Sequence, residues 1–96
     1  MSKITKAAEG RSCTIRLPGH CNGNPETSVW IHLPSIRWGS GRGHKVIDLI
    51  GAIGCSCCHD VVDGRVKTTL DRDFVKMCAY EGHFESLMIL WEEGII

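Results

Sequence analysis

Six cysteines fall within 96 residues, a density with three common explanations: disulfides, a metal site, or core filling. The first twenty residues carry Lys3, Lys6, Glu9, Arg11 and Arg16 with no apolar block between them, so no secretory signal is read there. The chain is expected in the cytoplasm, where stable disulfides are rare and clustered thiols more often hold zinc. Cys55 and Cys58 form a Cys-x-x-Cys pair, whose spacing lets two sulfurs from one tight turn reach a single ion. Cys13 and Cys21 flank a segment containing Pro18-Gly19, a strong turn signal, and present a second pair with looser spacing. Together the four thiols make a tetrahedral site for a structural Zn2+ that joins distant parts of the chain. Cys57 is either a spare thiol pointing sideways from the turn, the favoured reading, or a replacement for Cys58. Cys78 lies in a helical stretch and reads as a small buried hydrophobe.

A second chemical signal is charge. The net charge is zero, but residues 1–45 sum to +5 and residues 46–96 to −5. The basic half culminates in a glycine-rich stretch, Gly39-Ser40-Gly41-Arg42-Gly43, flanked by Arg37, Trp38, His44 and Lys45. Arg37, Arg42 and Lys45 suit phosphate contacts, and Trp38 suits stacking on a base or ribose. The alternative is a solvated charge run with the tryptophan folded back onto the core.

These groups need elements to hold them. Residues 12–17 alternate, with Cys13, Ile15 and Leu17 on one side, which is the period of a half-buried strand. A second turn cluster, Asn22-Gly23-Asn24-Pro25, precedes a β-branched and aromatic run over 27–33 that predicts a strand with Trp30 and His32 on one face. Residues 34–45 read as a basic loop. Residues 46–54 are apolar apart from Asp48 and predict a buried strand leading into the cysteine cluster, with a helix starting near Ser56. From Asp71 the pattern turns helical, with Phe74, Met77, Cys78, Leu87, Met88 and Trp91 near the i, i+3, i+4 series. Asp71 suits the start of that helix and Gly94 its end, while Gly82 in the middle is a candidate break into two helices.

Size and composition bound the rest. A chain of 96 residues is one domain's worth, 1–96, and 43% hydrophobic and 23% charged residues with a mean hydropathy of −0.04 describe an ordinary globular protein. The longest apolar stretches, around 46–53 and 87–91, fall far short of the roughly 18 residues that span a bilayer. No membrane association is expected.

In order, the chain carries a cysteine pair, a strand ending in His32, a glycine-rich basic loop, Asp48, and Cys-x-x-Cys followed at once by His59. That order resembles the HNH endonucleases, whose ββα-metal motif is built on a treble-clef zinc scaffold. The resemblance implies an α+β domain with one or two C-terminal helices and a catalytic His32, Asp48 and His59. His32 would be the general base, Asp48 the orienting residue, and His59 a ligand of a catalytic Mg2+ or Mn2+. Ile31 stands where many such enzymes carry a further metal ligand, so a carboxylate from Asp63 or Asp60 would complete the site.

A narrower resemblance runs through residues 21–29, His32, Asp48-Leu49-Ile50, and Cys55-Ser56-Cys57-Cys58-His59-Asp60, with Glu81-Gly82 and Glu93-Gly94-Ile95 matching at the C-terminal end. It is similar to the small prophage-encoded YbcO family of nuclease-like, zinc-binding proteins. This implies a metal-dependent endonuclease acting on DNA in the host cytoplasm, in a phage recombination or replication context, with phage recombination or replication proteins as further partners. The competing reading is a non-catalytic zinc module that binds nucleic acid or one of those proteins. A third is a purely structural or redox cysteine protein.

Overall fold

The computed structural model describes residues 3–33, 35 and 47–96. A short helix α1 (Lys3–Ala7) leads through an irregular segment to a single turn of 3-10 helix at Pro25–Thr27. Two strands follow, β1 (Val29–His32) and β2 (Gly51–Gly54), then α2 (Ser56–Val62) and the long α3 (Arg72–Glu92). The strands pair antiparallel with Val29 opposite Gly54 and His32 opposite Gly51. The result is a small α+β domain in which α3 lies along β2.

The hairpin has two dissimilar faces. Ile31, Ala52 and the cysteines Cys13, Cys55 and Cys58 share one core with Ile15, Leu17, Val61, Val75 and Ala79. Trp30 and Ile53 point the other way, into a second core with Ala8 of the α1 end and Leu90 of α3. The same-face placement of Trp30 and His32 follows from the period of two along a strand.

Residues 12–17 do not form the expected strand among the described residues. Arg16 takes φ 53°, a left-handed conformation that ends extended geometry, and Thr14 is buried along with Cys13, Ile15 and Leu17. The alternation identifies the inward residues but not the backbone. The segment still docks on β2: the Thr14 amide donates to the Ile53 carbonyl at 2.8 Å. It therefore closes the edge of β2 that β1 leaves open.

Of the strand expected over 46–54, only Gly51–Gly54 is strand among the described residues, and Asp48 sits in the turn before it. There the Ile50 amide donates to the Ile47 carbonyl at 3.1 Å. Apolar composition alone does not separate strand from turn, and Ile47 is in fact 61% exposed.

The C-terminal region is one helix, with no break at Gly82. Asp71 caps it, accepting from the Asp73 amide at 2.7 Å, and Gly94 at φ +71° follows its end. Its buried face differs from the expected one: Val75, Ala79, Gly82, Ser86 and Leu90 point inward, while Phe74, Met77, Met88 and Trp91 are exposed. Close approach to the chain explains the difference. A Cβ at Gly82 would lie 2.9 Å from both Thr14 Oγ1 and Ile15 Cγ1, so only glycine lets α3 settle there. Small residues therefore define the contact stripe and the large apolar ones fall opposite. Cys78 is partly buried against the cysteine-side core, in keeping with its reading as a filler.

Polar contacts lock the layers. Thr14 Oγ1 lies 2.7 Å from the Ile53 carbonyl and 3.2 Å from Ser86 Oγ, and Ser86 Oγ accepts from the Ile53 amide at 2.9 Å. Arg72 reaches the last carbonyls of α2, Val62 at 2.7 Å and Val61 at 3.1 Å, the latter also accepting from the Gly64 amide at 3.1 Å, and so helps to satisfy the helix end. Arg11 forms a two-pronged ion pair with Glu93, tying the α1 end to the α3 end. Among the described residues no helix is long and apolar enough to cross a membrane.

Candidate functional site

The four cysteines converge from three places. Cys13 and Cys21 come from the irregular segment, Cys55 occupies the N-cap of α2, and Cys58 its first turn. Their sulfurs all lie within 4.8 Å of one another, and Cys55 Sγ and Cys21 Sγ are 3.9 Å apart. Zinc bound to four thiolates at about 2.3 Å in a tetrahedron sets neighbouring sulfurs roughly 3.8 Å apart, so the cradle has the dimensions of such a site. All four are unbridged, with three buried. Cys57 is exposed and outside the group; Asn22 Nδ2 lies 3.6 Å from its sulfur.

Backbone amides aim at these sulfurs. Arg16 N lies 3.5 Å from Cys13 Sγ, Leu17 N 3.4 Å from Cys58 Sγ, and Cys58 N 3.4 Å from Cys55 Sγ. Donors around sulfur favour the thiolate form that a metal needs. Hydrogen bonding from Cys58 pulls Cys13 down to about 4, and the same contact pushes Cys58 up, since one proton is held between two sulfurs. Burial raises Cys21. The turn at Pro18-Gly19 closes with the His20 and Cys21 amides both on the Leu17 carbonyl, at 3.1 and 3.0 Å. The residues present can hold a metal ion such as zinc.

On the opposite face of the hairpin, His32 Nε2 lies 3.0 Å from Asp48 Oδ1, both side chains close to half exposed. Asp48 is held from behind. The Trp30 indole Nε1 donates to the Asp48 backbone carbonyl at 2.6 Å, and Trp30 itself is 6% exposed. Gly51 makes this possible, because a Cβ there would collide with the indole ring and with the Ile31 carbonyl. The apolar run before β2 thus carries a turn whose carboxylate faces the end of β1.

A second histidine–aspartate pair lies on α2. His59 Nε2 and Asp63 Oδ2 are 3.0 Å apart across one helical turn. Arg65 bridges the two nearby acids, reaching Asp63 at 2.7 Å and Asp60 at 3.0 Å. His32 with Asp48 and His59 with Asp63 are two separate pairs. Among the described residues, the only set of three or more histidine, cysteine or acidic ligand atoms within 4.8 Å of one another is the cysteine group.

The other histidines have structural contacts. His20 Nε2 lies 2.9 Å from Thr68 Oγ1, and His83 Nδ1 lies 2.7 Å from the Gly51 carbonyl. His83 is therefore tied to β2. The expected nucleic-acid contacts Arg37, Trp38, Arg42 and Lys45 lie outside the described residues, as does His44. Trp30, Gly51 and Arg65 join the site without being singled out by any motif, and so do Thr14 and Ser86 as the bolt behind them. Trp30 has a signal already legible in the sequence, its place two residues before His32 on the same strand face; the others carry none.

The fold and site define a class: a small α+β domain organised around a four-cysteine cluster, with a histidine at the end of a two-stranded hairpin. The chain belongs to the YbcO family. Residues 2–95 match the family described as "Putative nuclease YbcO". It is 46% identical over 96 residues to "Putative nuclease YbcO" of Escherichia coli K12, covering all of this chain and 98% of that protein. The "Putative nuclease ybcO" of Enterobacteria phage 82 is similar to the same extent. A solved structure, of a "putative bacteriophage protein" from Escherichia coli K-12 MG1655, is also 46% identical. It superposes with a TM-score of 0.79, covering 95% of this chain and 99% of the other.

Proposed function

We propose that this protein is an HNH-like, metal-dependent endonuclease that hydrolyses DNA phosphodiester bonds, on a treble-clef scaffold held by zinc at Cys13, Cys21, Cys55 and Cys58. The names of the relatives support nuclease activity, and the phage 82 relative supports a phage setting; recombination or replication is the role that the family resemblance implies there. The observation that carries the reading is the His32–Asp48 pair, braced by Trp30 at the end of β1.

In that role Asp48 accepts from His32 Nε2–H and fixes the tautomer, leaving Nδ1 to take a proton from water. The water oxygen bonds to phosphorus, the bond to one ester oxygen breaks, and that oxygen leaves with the pair of electrons. His59 and Asp63 would hold a divalent cation, Mg2+ or Mn2+. The two side chains already meet at 3.0 Å on one turn of α2, and the same Asp63 oxygen accepts from Arg65, so it would exchange those contacts for the ion. When bound, the cation would neutralise charge on the phosphate and on the leaving oxygen. Arg65, already on Asp63 and Asp60, adds a positive group beside an incoming phosphate. Arg37, Arg42 and Lys45 would follow the DNA backbone and Trp38 would stack on it.

His59→Ala in zinc-loaded protein tests the assignment. Cleavage in Mg2+ or Mn2+ should fall by about 100-fold or more and recover in part with excess metal, while fold and zinc content persist; unchanged cleavage overturns the metal assignment.

The separation of the two histidine–aspartate pairs favours a second reading, a non-catalytic zinc module for nucleic acid or for a phage protein. Binding of single-stranded, duplex or branched DNA with no cleavage of any of them would select it.

A further inference from the structure

The long helix α3 buries its small residues and exposes its large ones. Met77, Tyr80, Phe84, Met88 and Trp91 are 54%, 42%, 61%, 63% and 72% exposed. At about 100° per residue they fall in one stripe opposite the buried face. Their spacing about Phe84 is symmetric: four residues to Tyr80 and to Met88, seven to Met77 and to Trp91. A stripe that reads the same from both ends matches itself when turned over. We infer that α3 is a self-association surface, pairing antiparallel with α3 of a second copy of this chain across a twofold axis at Phe84.

Two observations select a second copy as the occupant. An isologous contact needs a self-complementary surface, and the symmetric spacing supplies one. It places Phe84 beside Phe84 of the second copy, Tyr80 beside its Met88, and Met77 beside its Trp91. Antiparallel pairing also opposes the two helix dipoles, which parallel pairing would align.

Area agrees as well. Aromatic and methionine side chains this exposed leave on the order of 600 Å² of apolar surface per chain, at the top of what a monomer usually shows and close to the roughly 800 Å² per partner of a standard interface. A hollow of about 350 Å³ between Leu33, Ile50, Tyr80, His83 and Phe84 continues the stripe and gives side chains of the second copy room to enter.

The test is the mass of the purified, zinc-loaded protein in solution, by sedimentation or light scattering over a concentration series, a readout independent of nuclease activity. The expected mass is twice 10.6 kDa at micromolar concentration. Phe84→Glu should return it to the single-chain mass with helix content and zinc unchanged, because the position is exposed and the new charges face each other at the axis. In a Cys57→Ser background, Phe84→Cys should oxidise to a covalent dimer. A wild type that stays at the single-chain mass, or a dimer that survives both Phe84→Glu and Trp91→Glu, overturns the inference. So does a Phe84→Cys protein that forms no cross-link.

Discussion

The Trp30 indole donates to the backbone carbonyl of Asp48 across 2.6 Å, so the turn that carries the Asp48 carboxylate is fastened to the strand that carries His32. Donor and histidine are two residues apart on one strand face. The geometry of the His32–Asp48 contact is thereby set by a buried ring and not by the turn alone.

Trp30→Phe keeps an aromatic ring in the core and removes the donor, together with part of the ring's volume. Cleavage should drop on the order of 10-fold or more in kcat with KM nearly unchanged, since small misplacements of a catalytic group are costly. Phe at position 30 with wild-type kcat would show that Asp48 is positioned some other way.

Ser86 Oγ accepts from the Ile53 amide at 2.9 Å and is fully buried, so Ser86→Ala leaves that N–H without its partner. The expected destabilisation is about 1–3 kcal/mol, measured by denaturant or thermal unfolding. An exposed control on the same helix, Glu81→Ala, should change stability by less than about 0.5 kcal/mol. Equal effects at the two positions would contradict the role given to Ser86.

Metal removal should unfold the chain. A structural zinc contributes roughly 10–16 kcal/mol of apparent binding energy, as large as the whole ~5–15 kcal/mol stability of a domain. Cys55→Ser and Cys58→Ser should lower both zinc content and melting temperature, whereas Cys57→Ser should retain one zinc per chain. Because protons compete for the thiolates, zinc should be released as pH falls, not as it rises. A metal-free protein that melts like the loaded one would contradict a structural role for zinc.

Replacing Arg37, Arg42 and Lys45 with Ala should weaken DNA binding and flatten its salt dependence. On duplex DNA the slope should change by about 0.9 log units per log unit of salt for each phosphate that no longer meets a cation. An unchanged slope would mean these side chains do not touch the backbone.

The cysteine cluster is legible in the sequence because Cys-x-x-Cys spacing and a turn between Cys13 and Cys21 constrain where sulfurs point, whatever the backbone does between them. Strand β1 and the start of α2 follow from equally local signals. Asp48 reads as part of a strand because Ile47, Leu49 and Ile50 surround it with apolar side chains, and a turn that packs its carbonyl under a tryptophan looks the same in composition. The inward face of α3 is hidden for a different reason. Large side chains dominate any reading by hydrophobic period, but the approach of the Thr14 segment and β2 leaves space only for Ala79, Gly82 and Ser86. Ser86 and Thr14 form a buried pair whose partners lie 72 residues apart, and no spacing rule connects them.

The most direct test is cleavage of single-stranded, duplex and branched DNA by zinc-loaded protein with Mg2+ or Mn2+ added, comparing wild type with His32→Ala. General bases contribute about 10²–10⁴ in rate, so the wild type should cut and His32→Ala should be slower by that order, with fold and zinc intact. A wild type that binds DNA and cuts none of it, or a His32→Ala protein that cuts equally well, would contradict a nuclease with His32 as its base.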